Sequence, residues 1–164
     1  RVVGDEVGVV EGMAGALGKD GTHLRDYTLG DLETCRDRIS DTAYRRARHV
    51  ITEDERTQTA CDAMRKGDAA KLGDAMNASG DSLRDDYEVT SPELDAMTDV
   101  ARSLDGCYGA RMTGAGFGGC TINLVDAANA DTFAQALMAG YKERTGLTGE
   151  IIVSKPADGA RILQ

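Results

Sequence analysis

Four glycines in six positions, Gly114-Ala115-Gly116-Phe117-Gly118-Gly119, form the stretch of this sequence best suited to chemistry. A backbone so poor in Cβ atoms can take left-handed conformations, lets a ligand approach closely, and can turn successive amides toward one anion. Phosphate is the natural guest of such a nest. Arg111 is a candidate cation for the same anion, although strand alternation equally turns it to solvent. The glycines would serve as well in a bulged connection between strands, and spacing leaves both readings open. No Gly-Lys-Ser/Thr follows them, so the Walker A loop is absent, and a strand where a helix should follow disfavours a dinucleotide fingerprint.

Other reactive side chains read as structural. Asp85 and Asp86 are adjacent, so they diverge on a helix or a strand, and a solvated helix end suits them better than shared metal binding. Arg45, Arg46, Arg48 and His49 have Glu53, Asp54 and Glu55 within two turns, which invites pairing along one helix surface. Ser91 and Glu93 are explained by helix initiation, and Met112 and Cys120 by packing around a sheet. Cys35, Cys61, Cys107 and Cys120 form no Cys-x-x-Cys pair, and with only His23 and His49 beside them they give no zinc pattern.

The elements that must position the glycines follow from periodicity. Val7, Val10, Met13, Ala14 and Leu17 recur at helical steps before Gly18, and Thr28 can cap a short helix containing Leu29, Leu32 and Cys35. His23, Leu24, Asp26 and Tyr27 read as a polar connection between these two. A long amphipathic helix is expected from Asp41 to Lys66, with Ala43, Tyr44, Ala47, Val50, Ile51, Ala60, Cys61 and Met64 on its apolar face and Gly67 as its stop. Asp68 then caps a helix reaching about Ser82, and so short a turn predicts antiparallel packing. Ser91-Pro92-Glu93 opens another helix through Leu104.

Strands are predicted at Cys107–Thr113 and Cys120–Val125, on either side of the glycines, followed by a helix from Ala130 through Tyr141. Glu150–Ser154 and Ala160–Leu163 read as a terminal hairpin around Pro156-Ala157-Asp158-Gly159. Helices followed by strands, a crossing helix and more strands favour an α+β layer sandwich, with helices on a small antiparallel sheet.

Composition sets the outer limits. A length of 164 residues suits a single domain, 1–164, with a core of its own. Nineteen basic against twenty-eight acidic residues give a net charge of −9, which opposes nucleic acid and anionic membranes as partners. A nest for phosphate would need help from Mg²⁺ or from cations the fold brings near. No apolar run approaches a bilayer span and no secretory leader opens the chain, so a cytoplasmic protein with reduced thiols is expected. The chain begins on Arg1, which points to a piece of something longer.

Three further motifs narrow the reading: Arg45-Arg46-Ala47-Arg48-His49-Val50, Ser82-Leu83-Arg84-Asp85-Asp86-Tyr87-Glu88-Val89 and Pro92-Glu93-Leu94-Asp95. With the glycine run, their order and spacing from Ser40 to Leu163 resemble the C-terminal half of the galactokinase family, within the GHMP small-molecule kinases. The resemblance implies a GHMP-kinase C-terminal fold and, in a full-length enzyme, phosphorylation of the anomeric hydroxyl of galactose to galactose 1-phosphate, with ATP and Mg²⁺. It also implies that Gly114, Ala115, Gly116, Phe117, Gly118 and Gly119 line the cleft beside the sugar and the terminal phosphate.

The family's sugar-gripping residues, catalytic aspartate and arginine, and serine-rich phosphate loop belong to its N-terminal half, and their signatures do not occur here. The resemblance therefore implies no catalytic residue and no metal ligand in this chain, a missing N-terminal half as partner, and no activity for the chain alone. One departure is Ser79-Gly80, where the family commonly has Ser-His. Two alternatives share this half: a galactose- and ATP-binding sensor without turnover, and a GHMP kinase for another small alcohol.

Overall fold

A computed structural model describes residues 2–157, with side chains from position 8 onward. The first helix, α1 (Val2–Leu17), begins a helical layer, and the side chain of Val7 lies outside the described residues. In α2 (Leu29–Thr34) the Thr28 hydroxyl accepts from the Asp31 amide while the Asp31 carboxylate accepts from the Thr28 amide, a reciprocal cap. Lys19 also donates to that carboxylate, and these hydrogen bonds hold Asp31 at about 2. The connection between the two helices is less polar than expected. A 3-10 turn at Leu24–Asp26 drives Leu24 and Tyr27 into a core with Val9, Val10, Met13, Leu32, Cys35, Ala47 and Ile51. Tyr27 can be buried because its hydroxyl donates to the Gly21 carbonyl.

The long helix α3 spans Asp41–Lys66, capped by Ser40 and ended by Gly67 at φ 66°. Its partner α4 (Ala69–Asp85) starts on the Asp68 cap and runs three residues past the expected end. Their contacts descend in opposite order, Arg46 with Asp86, His49 with Ser82 and Glu53 with Ser79, so the pair is antiparallel as the short turn requires. The buried face of α3 differs from the apolar stripe: His49 and Ala63 are buried, whereas Met64 is 59% exposed. Ala47 and Ile51 of the stripe are buried as expected, and His49 joins them because Ser82 of α4 answers its Nδ1.

The second layer holds α5 (Pro92–Ser103), the strands β1 (Cys107–Thr113) and β2 (Cys120–Val125), and α6 (Ala130–Thr145). The strands pair antiparallel from Thr113 opposite Cys120 to Cys107 opposite Val125, with a bulge at Tyr108. Ala101, Ala110, Phe133 and Leu137 pack between them and the helices. On its other edge β1 lies against α4 so closely that a Cβ on Gly73 would overlap the Tyr108 carbonyl. Side chains replace a third strand there: Asn77 Oδ1 accepts from the Ala110 amide at 2.9 Å, and Arg102 Nη2 donates to the Ala110 carbonyl at 2.8 Å. The α+β layer sandwich is therefore as expected.

The terminal hairpin is not. Glu150–Ser154 forms no strand: Ile151 packs on the core, but Ile152 is 85% and Val153 59% exposed, so the alternation has no second surface to bury against. Ala160–Leu163 lies outside the described residues. No helix among the described residues is long and apolar enough to cross a membrane.

Candidate functional site

The glycine run closes the hairpin between β1 and β2, and its backbone takes the conformations its composition allows. Positive φ angles occur at Gly114 (94°), Gly116 (82°), Phe117 (60°), Gly118 (143°) and Gly119 (111°). The Phe117 amide donates to the Val89 carbonyl at 2.7 Å. Amides at Gly114, Ala115, Gly116 and Gly118 find no acceptor among the described residues. Gly114, Ala115, Gly118 and Gly119 are exposed, and so is the Phe117 ring at 75%. Around Gly114 and Gly118 there is open space where a Cβ would stand. Only Gly116 is tight: a Cβ there would come within 2.5 Å of the Val89 carbonyl oxygen. A surface loop with free amides and a single internal anchor is suited to receiving anionic oxygens.

Arg111 does not serve this loop. Its guanidinium Nη1 donates to Glu53 Oε1 at 3.2 Å and its Nε to the Met112 carbonyl, so it is neither a loop cation nor a solvated side chain. Glu53 also accepts from Ser79 Oγ at 2.6 Å and from Arg56 Nε at 2.9 Å. Burial works to raise the Glu53 carboxyl, but the bonds from Ser79 and Arg56 outweigh it and hold the group below its ordinary range. Glu53 thus ties α3, α4 and β1 together.

The arginine motif and the acidic motif, about forty residues apart in sequence, meet in space. Arg46 Nη2 donates to Glu88 Oε2 at 2.6 Å, and Arg45 Nη2 reaches both Glu88 oxygens at 3.3 Å. Arg48 Nη1 donates to Asp86 Oδ1 at 2.8 Å, and Ser82 Oγ donates to Asp86 Oδ2 at 2.9 Å. Since the Ser82 proton is given to Asp86, His49 Nδ1 must be the donor in its 3.0 Å bond to Ser82 Oγ. The His49 ring stacks on Tyr87 with centroids 4.6 Å apart. Burial lowers the His49 pKa below 6.5, so the ring is neutral near pH 7.

The structural reading of these motifs therefore holds, with two corrections. The arginines pair across to the segment after α4, not along their own helix. Asp86 is buried at 6% exposure, where a solvated helix end was expected, because Arg48 and Ser82 satisfy both oxygens. Asp85 does remain exposed and binds Arg84. Met112 is in the core, but Cys120 is exposed at the rim of the loop. The role of Val89 as loop anchor was missed, and its only trace in sequence is the match of basic and acidic runs that fixes its neighbour Glu88.

A groove of about 560 Å³ lies along β2 between α5, α6 and residues 149–156, with Ile122, Leu124, Phe133 and Leu137 among its walls. Its surface is largely apolar, and Gly118 and Gly119 of the glycine loop stand at its edge. No group of three or more His, Cys, Asp or Glu side chains converges as a metal site among the described residues. An Mg²⁺ ion here would need ligands from phosphate oxygens, water or residues outside this set.

The chain belongs to the family of GHMP kinases, C terminal, matched over residues 60–143. Among curated relatives, it is 46% identical over 153 residues to galactokinases of Bos taurus and Homo sapiens, covering 93% of this chain and 38% of theirs. The galactokinase of Roseiflexus is 43% identical over 83% of the chain. In fold the chain is similar to the Lactococcus lactis galactokinase solved with galactose, with a TM-score of 0.82, 37% identity, and coverage of 90% of this chain and 38% of that one. The chain thus spans less than two fifths of the length of these relatives.

Proposed function

We propose that this chain is the C-terminal domain, a single domain over 1–164, of a galactokinase that transfers the terminal phosphoryl group of ATP to the anomeric hydroxyl of galactose. The observation that carries the reading is the free amides of Gly114, Ala115, Gly116 and Gly118 on a largely exposed loop, in a chain 46% identical to galactokinases over most of its length. In this reading the amides of Gly114, Ala115, Gly116 and Gly118 hold sugar or phosphate oxygens as charge shifts between them. ATP supplies the phosphoryl group, with Mg²⁺ held largely by its phosphates. The base and the remaining cations come from the N-terminal half, consistent with a net charge of −9 here and with Arg111 committed to Glu53. A cytoplasmic location accompanies the same reading.

The test is galactose phosphorylation by a complete polypeptide carrying this domain, with and without Ala115→Glu. Ala115 is exposed, so the substitution places a negative charge at the nest without touching the core. A fall in kcat/KM of about tenfold or more is expected, with an unchanged unfolding midpoint. Unaltered kinetics would reduce the loop to a connector, and ligand binding without turnover by the parent polypeptide would establish a sensor instead. The isolated chain is expected to transfer no phosphate.

A further inference from the structure

Among the described residues, the two non-glycine residues with left-handed backbone are Glu88, at φ 55°, and Phe117, at φ 60°. They flank one hydrogen bond, from the Phe117 amide to the carbonyl of Val89, the residue after Glu88. Such conformations persist where the surroundings over-determine them. Glu88 meets that condition through its side chain, since its carboxylate is gripped by Arg46 at 2.6 Å and by Arg45 at 3.3 Å. Arg46 also donates to the Asp86 carbonyl and lies over the Tyr87 ring, 5.6 Å from its centroid. From the other side, the Val89 amide donates to the Leu83 carbonyl at 3.1 Å. The Glu88 carboxylate is half exposed, where ion pairs contribute little to stability, so the consequence of this grip is conformational.

We propose that Glu88, held by Arg45 and Arg46, is a positioning residue for the glycine loop. The arginines fix the left-handed turn at Glu88, the turn aims the Val89 carbonyl, and that carbonyl sets the Phe117 amide and with it the directions of the Gly116 and Gly118 amides on either side. The close fit of Gly116 against Val89 gives the linkage a second point of contact. The catalytic consequence rests on the reading of the loop as a ligand for phosphate or sugar oxygens; the positioning itself does not.

The experiment uses a complete galactokinase polypeptide carrying this domain, with Glu88→Gln, Glu88→Gly and Arg46→Lys. Amide hydrogen exchange at Phe117, the loop amide bonded to Val89, is followed alongside kcat and KM for ATP and galactose. Glycine adopts the turn at position 88 without strain, so Glu88→Gly keeps the fold accessible while removing the carboxylate. Both Glu88 variants are expected to speed exchange of the Phe117 amide by about tenfold, leaving exchange in the α5 core unchanged, and to lower kcat more than they raise either KM. Arg46→Lys, which keeps the charge opposite Glu88, should retain part of the Phe117 protection that the Glu88 variants lose. Phe117 exchange unchanged in both Glu88 variants overturns the proposal. Faster Phe117 exchange with wild-type kinetics supports the positioning and overturns the functional reading of the loop.

Discussion

Arg102 lies across Gly80: its Nη2 stands 2.5 Å from where a Cβ on that glycine would be, and the Cβ of Arg111 stands 3.2 Å away. Arg102 is not free to yield, because it donates to the carbonyls of Asn77 and Ala110 and to the Asp81 carboxylate. The glycine of the Ser79-Gly80 pair is therefore a packing requirement of this chain.

Gly80→Ala should for that reason destabilise the domain, although alanine favours a helix by about 1 kcal/mol. Overpacking of about 1–3 kcal/mol exceeds this gain. Denaturant midpoints for Gly80→Ala, Arg102→Ala and the double variant check the idea. Removing Arg102 should make the alanine tolerable, so simple additivity of the two losses would refute the contact.

Asp86 is the buried end of the link between α3 and the segment after α4. Replacing it with alanine strands the Ser82 hydroxyl and leaves Arg48 without its partner, a loss of about 1–3 kcal/mol. Asp86→Asn keeps an acceptor and should lose less. Equal midpoints for the two variants would show that the carboxylate shape and its second oxygen are both needed.

The neutral, buried His49 makes stability depend on pH in a defined direction. Its folded pKa lies below 6.5, so as pH falls from 6.5 the unfolded state takes up the proton first and unfolding is favoured. Stability should therefore be full above pH 6.5 and decline below it until the folded ring also protonates. Glu53 and Asp86 oppose the shift and Arg56 and Arg111 reinforce it, but burial dominates. Urea unfolding at pH 7.5 and 5.5 for wild type and His49→Gln tests the sign: the glutamine variant should show the shallower slope over this interval.

Gly116→Val is expected to affect folding as well as any ligand. A β-branched residue at φ 82° is strained, and its Cβ would meet the Val89 carbonyl oxygen at 2.5 Å. A loss of about 1–3 kcal/mol follows. Ala115→Val, on the exposed side of the same loop, should leave thermal stability unchanged; a comparable drop in both would mean the loop is uniformly sensitive.

Much of the fold was legible because local signals agreed with tertiary packing. Ser40 and Gly67 bound α3 where a cap and a left-handed stop were expected, and both strands run between their predicted ends. The failures lie where packing partners decide. Tyr27 sits in a polar-looking run but is buried by one hydroxyl bond to Gly21. Asp86 looks like a helix end in solvent until Arg48 is brought beside it from α3. Ile152 and Val153 have strand character but meet no partner among the described residues. In the site, composition was enough to find the glycines but could not reveal Val89 as their anchor, since that contact spans a helix and a strand.

The covering of one flank of the sheet by Asn77 and Arg102 gives the sheet a polarity. On that flank the backbone groups of Ala110 are already answered by side chains, so a newcomer would have to evict α4. Within the described residues β2 pairs with β1 alone. Enlargement of this sheet, by whatever chain supplies the strand, can proceed in one direction only, outward from β2.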